Sequence, residues 1–428
     1  MKVAIVCDWL TNVGGAEKVL LAIHKLYPEA PIYTSQYDPK GIDWFLDADV
    51  RTGSLQKYPA RLRRLLGAKR QKWFEELDLS GYDLIISVTG AEAKAVKSGK
   101  WRAEHGLPSK NPKGIHVSYC HVPTQYYWQM YDDYVKNPGF GALNFLVRGA
   151  FRKMVRRLRK LDYAAAQVPE QFITISEYAK GLFSKYYDRE ASVIHPPVEV
   201  DEFRAGYERA DSVSRARGRR RPPSLGAAPL LSRRNSDSSL DITDRPLRQE
   251  DASRQLPRTT IQAPYYIITS RQVNWKRIDL AIQGCLRLKR RLMVVGEGPE
   301  HERLMKLAEG SDLIEFVPLV GKEELAELLS GAKGYIFPSL EPFGIAPVEA
   351  LAAGCPVIAY GEGGAVDYVV DGANGVLFEK QTVKSVIEGI ERFEKLKFDK
   401  SKIVRSAEKF SVDRFNREIR KFIDGKVK

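Results

Sequence analysis

Cysteine is scarce in this sequence: four residues in 428, Cys7, Cys120, Cys285 and Cys355, lie far apart, each in an apolar context. That spacing excludes a disulfide framework and a thiolate metal site, and it reads as reduced core thiols. Long apolar runs are missing too. The only early one, KVAIVCDWL, is short and holds Asp8, and nothing later approaches the roughly 20 residues of a bilayer span. The expectation is a cytoplasmic chain with neither signal peptide nor transmembrane helix. Between residues 204 and 264 lysine is absent altogether: thirteen Arg stand there against seven Asp and Glu, a net of +6.

A chain of 428 residues exceeds one ordinary hydrophobic core, so two domains are expected. Strand-like runs fall at 2–7, in APIYTSQY, and at 83–89, 115–121 and 171–177, with helical stretches between them. The pattern resumes after residue 264 with YYIITS, RLMVVGEGP, KGYIFPS, PVIAY and GVLF, separated by RIDLAIQGCLRL, EELAELLSGA and APVEALAAG. Strands alternating with helices imply α/β domains with mostly parallel sheets covered on both faces. The expected division is 1–200, an insertion at 204–264, 265–408, and a last helix within 409–428. Its apolar positions Phe410, Phe415, Ile419 and Phe422 suit packing across both domains. The insertion is rich in Pro, Ser and Gly without apolar periodicity, so it is expected to be disordered at the hinge. RRRPP and SRRNSDSS within it invite a phosphorylation or nucleic-acid reading; a solvated polar tract is the ordinary one.

The stretch EPFGIAPVEALAAGCPVIAYGEGG, residues 341–364, concentrates the chemistry. Pro347 fits only the first turn of a helix, which places the helix start near Ile345. The amides of Gly344, Ile345 and Ala346 then point out of an N-terminus that favours phosphate. Glu341 precedes the helix and Glu349 lies about one turn into it, a carboxylate toward each end of an elongated ligand. Each can accept two hydroxyl hydrogen bonds, as a sugar or ribose diol offers. Either alone is more often a solvated acid at a helix start. SRQVNWK sets Arg271 and Lys276 just beyond the first strand of the same domain, where open α/β sheets bind ligands, and two cations there suit a diphosphate. GEGP, Gly296 to Pro299, is a further strand-end turn, weak evidence by itself.

These residues resemble those of the retaining GT-B glycosyltransferases of family four, a group that includes bacterial mannosyltransferases. The resemblance rests on NVGGAEKVLLAI, YCHVPTQYYW, ISEYAK, HPPVEVDEF, SRQVNWKRIDLAI, VVGEGP, the Glu341-to-Glu349 E-x7-E element and GGAVDYVVDGANGVLF, in that order, and covers nearly everything outside 204–264. It implies two Rossmann-like domains around a cleft, with a C-terminal helix crossing back. It further implies that Glu341 contacts the transferred sugar, Glu349 the ribose, and Arg271 and Lys276 the diphosphate. Phe343, Gly344 and Ile345 would close around sugar and phosphate, with Gly296 and Gly298 in the same site. From the N-terminal side Gly14 and Gly15 would approach the diphosphate and His121 the donor sugar. The implied reaction is retaining hexosyl transfer from a nucleoside diphosphate sugar, GDP-mannose first, to a glycan or lipid-linked acceptor in cell-surface polysaccharide synthesis. No cofactor and no metal are implied, and no Asp-x-Asp motif follows a strand. Gln125 stands where relatives often carry Arg, and the long insertion departs from the family's short hinge.

The net charge of +14 leaves partners to be assigned by location. YPARLRRLLGAKRQKWF (58–74) and LNFLVRGAFRKMVRRLRKLDY (143–163) mix basic and apolar residues at helical spacing, which suits either an anionic membrane surface or a packed helix with a basic outer face. Three competing readings stay open: a UDP-sugar-dependent glucosyltransferase, a sugar-nucleotide epimerase using the same cleft without an acceptor, and a nucleic-acid-binding protein. The last has only charge behind it, and no nucleic-acid partner is expected.

Overall fold

The computed structural model describes residues 1–59, 66–136, 144–217 and 264–427. Seven strands, β1 (Val3–Cys7), β2 (Ile32–Thr34), β3 (Val50–Arg51), β4 (Leu84–Thr89), β5 (Ile115–Cys120), β6 (Gln171–Thr174) and β7 (Ser192–Val193), form one sheet in the order β3-β2-β1-β4-β5-β6-β7. A second sheet holds β8 (Tyr266–Thr269), β9 (Leu292–Val295), β10 (Ile314–Val317), β11 (Gly334–Phe337), β12 (Val357–Tyr360) and β13 (Gly375–Phe378), ordered β10-β9-β8-β11-β12-β13. Every pairing is parallel. The central strands β4 and β5 are buried along their whole length, because helices cover both faces. This is the α/β, two-sheet architecture of the GT-B fold. Strands β3 and β7, two residues each, are too short to leave a periodic signal, and β10 was hidden in the mixed run LIEFV. All four cysteines are buried and free.

The helix Val200–Arg217 corrects the expected disorder from residue 204 onward. Phe203 is buried on it, a Cβ on Gly206 would stand 2.6 Å from that of Ala326, and Tyr207 packs at Gly354. Three positions on one face suffice to dock a helix whose composition otherwise reads as solvated. The rest of the expected insertion, 218–263, lies outside the described residues. The last helix, Val412–Asp424, is capped by Ser411, whose side chain accepts from the Arg414 amide. Phe415 meets Tyr119 of β5 edge-on at 5.8 Å, and the Val198 amide donates to Phe410 O at 2.9 Å, so the chain end returns to the first sheet.

Two buried ion pairs stiffen the first domain. Lys94 donates to Asp162 at 2.6 Å, and Asp162 also accepts from Thr124, Trp128 and Tyr187 at 2.7–2.8 Å. Arg70 pairs with Glu92 at 2.7 Å. Charges this deep persist only because each is matched and further hydrogen-bonded. In the second domain Glu394 accepts from Tyr266 (2.9 Å), Arg290 (two bonds of 2.8 Å) and Lys333 (2.6 Å), joining β8, a loop and β11's start to the helix Val383–Glu394. The Arg290 guanidinium above all, then Lys333 and Tyr266, hold its carboxyl at about 2 against burial. The ordinary value is 4.5, so this stabilisation is complete above about pH 4.5 and is lost as pH falls toward 2. Urea unfolding should find Glu394→Gln less stable than the parent at neutral pH, with the two curves converging as the pH drops through that window.

Candidate functional site

Parallel strands carry all their C-terminal ends to one edge, and the two sheets turn those edges toward each other. Between them lies a cavity of about 590 Å³. The first domain lines it with Asp8, Trp9, Gly15, His121, Gln125 and Tyr126; the second with Arg271, Lys276, Glu341, Phe343, Gly344 and Ile345. Nine of the twelve expected site residues are thus accounted for at one place or directly beside it: eight line the cavity, and Glu349 sits one helical turn behind Ile345.

The helix Ile345–Ala352 begins where Pro347 requires. Gly344, its N-cap, has φ +91°, and a Cβ there would lie 2.7 Å from Phe337 and 2.9 Å from the Tyr368 hydroxyl, so only glycine fits. The amides of Gly344, Ile345 and Ala346 find no acceptor among the described residues and open into the cavity edge. Facing them is the N-terminus of the helix Gly15–Leu26: a Cβ on Gly15 would stand 3.0 Å from Ile345 Cδ1. Two helix N-termini therefore converge on one volume. Gly14 caps the first helix in extended conformation but does not line the cavity. Phe343 is buried against His195, Tyr368 and Phe410, and its carbonyl accepts from the Tyr368 hydroxyl at 2.9 Å.

Lys276 donates to Glu341 Oε1 at 2.5 Å, and Ser339 donates to the same oxygen at 2.8 Å. Arg271 is exposed and its guanidinium has no partner among the described residues. Gly296 and Gly298 do not line the cavity; they brace the loop that does. Both have positive φ, and a Cβ on either would collide at 2.4 Å with the carbonyl of Ser270 or Gln272. Gln272 closes the brace through His301 Nδ1 at 2.8 Å and the Gly296 carbonyl at 2.5 Å. The turn thus fixes where Arg271 stands.

His121 follows β5, anchored by its amide to Thr89 O (2.9 Å) and by its carbonyl to the Thr174 hydroxyl (3.0 Å). Its Nε2 is buried and finds no hydrogen-bond partner among the described residues. Burial pushes the imidazole down to about 4, against the opposing charge of Asp8, so the ring is neutral near pH 7. Asp8 itself was overlooked as a site residue. It directly follows β1, and its carboxylate accepts from the Thr89 hydroxyl and the amides of Gly90, Ala91 and Ala93 at 2.8–3.1 Å, which sets the loop beside His121. An acid directly after the first strand was the available signal. Among the described residues no group of three or more His, Cys, Asp or Glu is placed to hold a metal ion.

Comparison with known proteins points the same way. Residues 251–410 match the family model described as glycosyl transferases group 1. The D-inositol 3-phosphate glycosyltransferase of Streptomyces scabiei is 30% identical over 207 residues, 46% of this chain and 40% of that one. Human alpha-1,3/1,6-mannosyltransferase ALG2 is 30% identical over 160 residues, 35% of this chain and 37% of that protein. The matched stretches span less than half the length of these curated relatives. Among solved structures, Anabaena HepE in complex with UDP superposes with a TM-score of 0.61 at 18% identity, covering 99% of this chain and all of that one, a likeness of fold. The chain has the GT-B fold, and within it residues 251–410 are similar to the glycosyl transferases group 1.

Proposed function

We propose that the protein is a retaining hexosyltransferase that moves a sugar, mannose from GDP-mannose in the first instance, from a nucleoside diphosphate sugar to a glycan or lipid-linked acceptor of cell-surface polysaccharide. The observation that carries this reading is the convergence of two helix N-termini, an unpaired Arg271 and the Lys276–Glu341 pair on one cavity. A diphosphate satisfies the orphan amides and both cations together. Glu341 is then beside the sugar, with its hydroxyls as donors, and Glu349 one helical turn further along toward the ribose.

In the reaction the bond from the anomeric carbon to the phosphate oxygen breaks while the acceptor hydroxyl attacks from the same face. The hydroxyl proton passes to the departing phosphate oxygen. Arg271, Lys276 and the amides of residues 344–346 stabilise the charge that builds on the leaving diphosphate, the work a metal does elsewhere, so the reading assigns no metal and no cofactor. His121, neutral at working pH, hydrogen-bonds the sugar near the reacting carbon instead of acting as a charged acid. ALG2 bears a mannosyltransferase name, which favours mannose. The second reading, a UDP-sugar donor, has HepE's bound UDP in its favour. An epimerase needs no acceptor surface, and the aromatic lining of Trp9 and Tyr126 favours transfer.

The same reading places the enzyme in the cytoplasm against an anionic membrane. On the helix Asn144–Ala165, Val155 and Leu158 are buried while Arg152, Lys153, Arg156, Arg157 and Lys160 face out beside exposed Met154 and Tyr163. Among the described residues that outer face carries five cations and no acid, which suits anionic headgroups. In the other basic stretch Arg70 is committed to Glu92, and 60–65 lie outside the described residues. Among the described residues no helix is long and apolar enough to cross a membrane.

Thermal shift and hydrolysis across GDP-mannose, UDP-glucose and related donors test the assignment. Arg271→Ala, Lys276→Ala and Glu341→Ala should each cut turnover about 100-fold or more without altering the far-UV spectrum; near-native turnover by all three removes the site. The His121 ring resonances should titrate near 4 instead of 6.5. Sedimentation with vesicles should show binding that needs anionic lipid and weakens when Arg156 and Arg157 become Glu; pelleting indifferent to lipid charge ends the membrane assignment.

A further inference from the structure

Where the two helix tips touch at Gly15 and Ile345, the contact continues one turn deeper. Lys18 Nζ, on the helix Gly15–Leu26, donates to Glu349 Oε1 on the helix Ile345–Ala352 at 3.1 Å. This bond joins residues 331 apart and crosses from one domain to the other. Nothing in the spacing of the sequence pointed to it. Lys18 also lies 3.7 Å from Glu199 Oε2, in the segment leading to the hinge helix. Glu199 in turn accepts from Lys322 at 2.7 Å, and Lys322 meets Glu202 at 3.1 Å. Charges therefore alternate, Glu349, Lys18, Glu199, Lys322, Glu202, from the cleft wall along the hinge.

The Glu349 side chain is 11% exposed, so its orientation is set by the bond it makes. Only Oε1 is engaged; Oε2 has no partner among the described residues. A carboxylate that holds one lysine and keeps the other oxygen open is arranged to accept from a neighbouring diol. The lysine is available at that distance only while the domains stand as they do here. Take Lys18 away and Glu349 loses its anchor, with the Glu199 carboxylate on the far side of the vacated position.

We propose that Lys18 is a positioning residue for nucleotide recognition: it holds Glu349 so that the free oxygen meets the ribose diol, and it completes the ribose site only when the two domains are together. The proposal rests on the reading of the cleft as a nucleotide-sugar site with Glu349 at the ribose.

Titration calorimetry with GDP and UDP and with their 2′,3′-dideoxy counterparts tests it. The ratio of ribo to dideoxy affinity cancels the overall loss of one positive charge, which a merely electrostatic role would change equally for both ligands. The parent protein should prefer the ribonucleotide by about tenfold or more, the worth of a hydrogen bond to a charged group. Lys18→Met and Glu349→Gln should each bring the ratio toward one, and Lys18→Arg should restore most of it. If Glu349→Gln collapses the ratio and Lys18→Met leaves it intact, the positioning role is overturned while the ribose assignment stands. If the parent binds both forms equally, the ribose assignment and the proposal fall together. If it binds neither GDP nor UDP, the nucleotide reading of the cleft fails, and the proposal with it.

Discussion

The facing of two helix N-termini across the cleft is the constraint around which the remaining features are arranged. Each tip presents amides that the helix cannot satisfy and the positive end of a dipole. Bringing Gly15 to within contact of Ile345 concentrates that potential instead of dispersing it, and a Cβ on Gly15 would stand only 3.0 Å from the Ile345 side-chain tip. Arg271 and Lys276 add full charges at the same edge, and Lys276 is already answered by Glu341. The cleft is therefore short of negative charge at its centre and supplied with carboxylates at its rim. An anionic group with hydroxyls on either side matches that distribution, whereas a neutral ligand leaves its centre unanswered.

Holding such a surface rigid requires support from beneath, and the first domain supplies it with buried charge instead of apolar filler alone. Asp8 collects four donors, the Thr89 hydroxyl at the end of β4 and three amides of the loop after it, and so fixes the wall on which His121 sits. Lys94 and Asp162 tie that loop to the long basic helix, with Thr124, Trp128 and Tyr187 completing the acceptor's shell. Replacing these pairs by hydrocarbon could be neutral for stability. What hydrocarbon could not do is set direction, since each of these bonds fixes one side chain relative to three separate segments.

Much of this was visible in the residues because it depends on local stereochemistry. Pro347 and Gly344 locate the helix start at Ile345, and the alternation of apolar runs with helical stretches gives both parallel sheets. The glycines of GEGP were legible as a turn, yet not as a brace for Arg271, because that depends on how close the Ser270 and Gln272 carbonyls come. Helix Val200–Arg217 was masked by its charge: composition averages over all faces, while docking uses only the face bearing Phe203, Gly206 and Tyr207. The bond from Lys18 to Glu349 had no sequence signal, as it depends on the placement of one domain on the other.

That placement is registered at the loop that carries Glu341 and Phe343. Asp367 accepts from the Glu177 amide at the start of the helix Glu177–Tyr187, at 3.0 Å, so a side chain of the second domain sits at a helix N-terminus of the first. Three residues earlier Gly364 donates to the Glu341 carbonyl at 2.8 Å, and a Cβ on it would stand 2.3 Å from Phe343 Cα. His195, just before the hinge, stacks on Phe343 at 5.6 Å and lies 3.7 Å from Asp367. The interdomain contact and the loop carrying Glu341 are thus separated by three residues of one tight turn and by one aromatic stack. Close packing of this kind transmits displacement instead of absorbing it, so a shift of one domain against the other bears on the loop carrying Glu341 and Phe343. A cleft built this way ties the geometry of the loop carrying Glu341 and Phe343 to the arrangement of both domains.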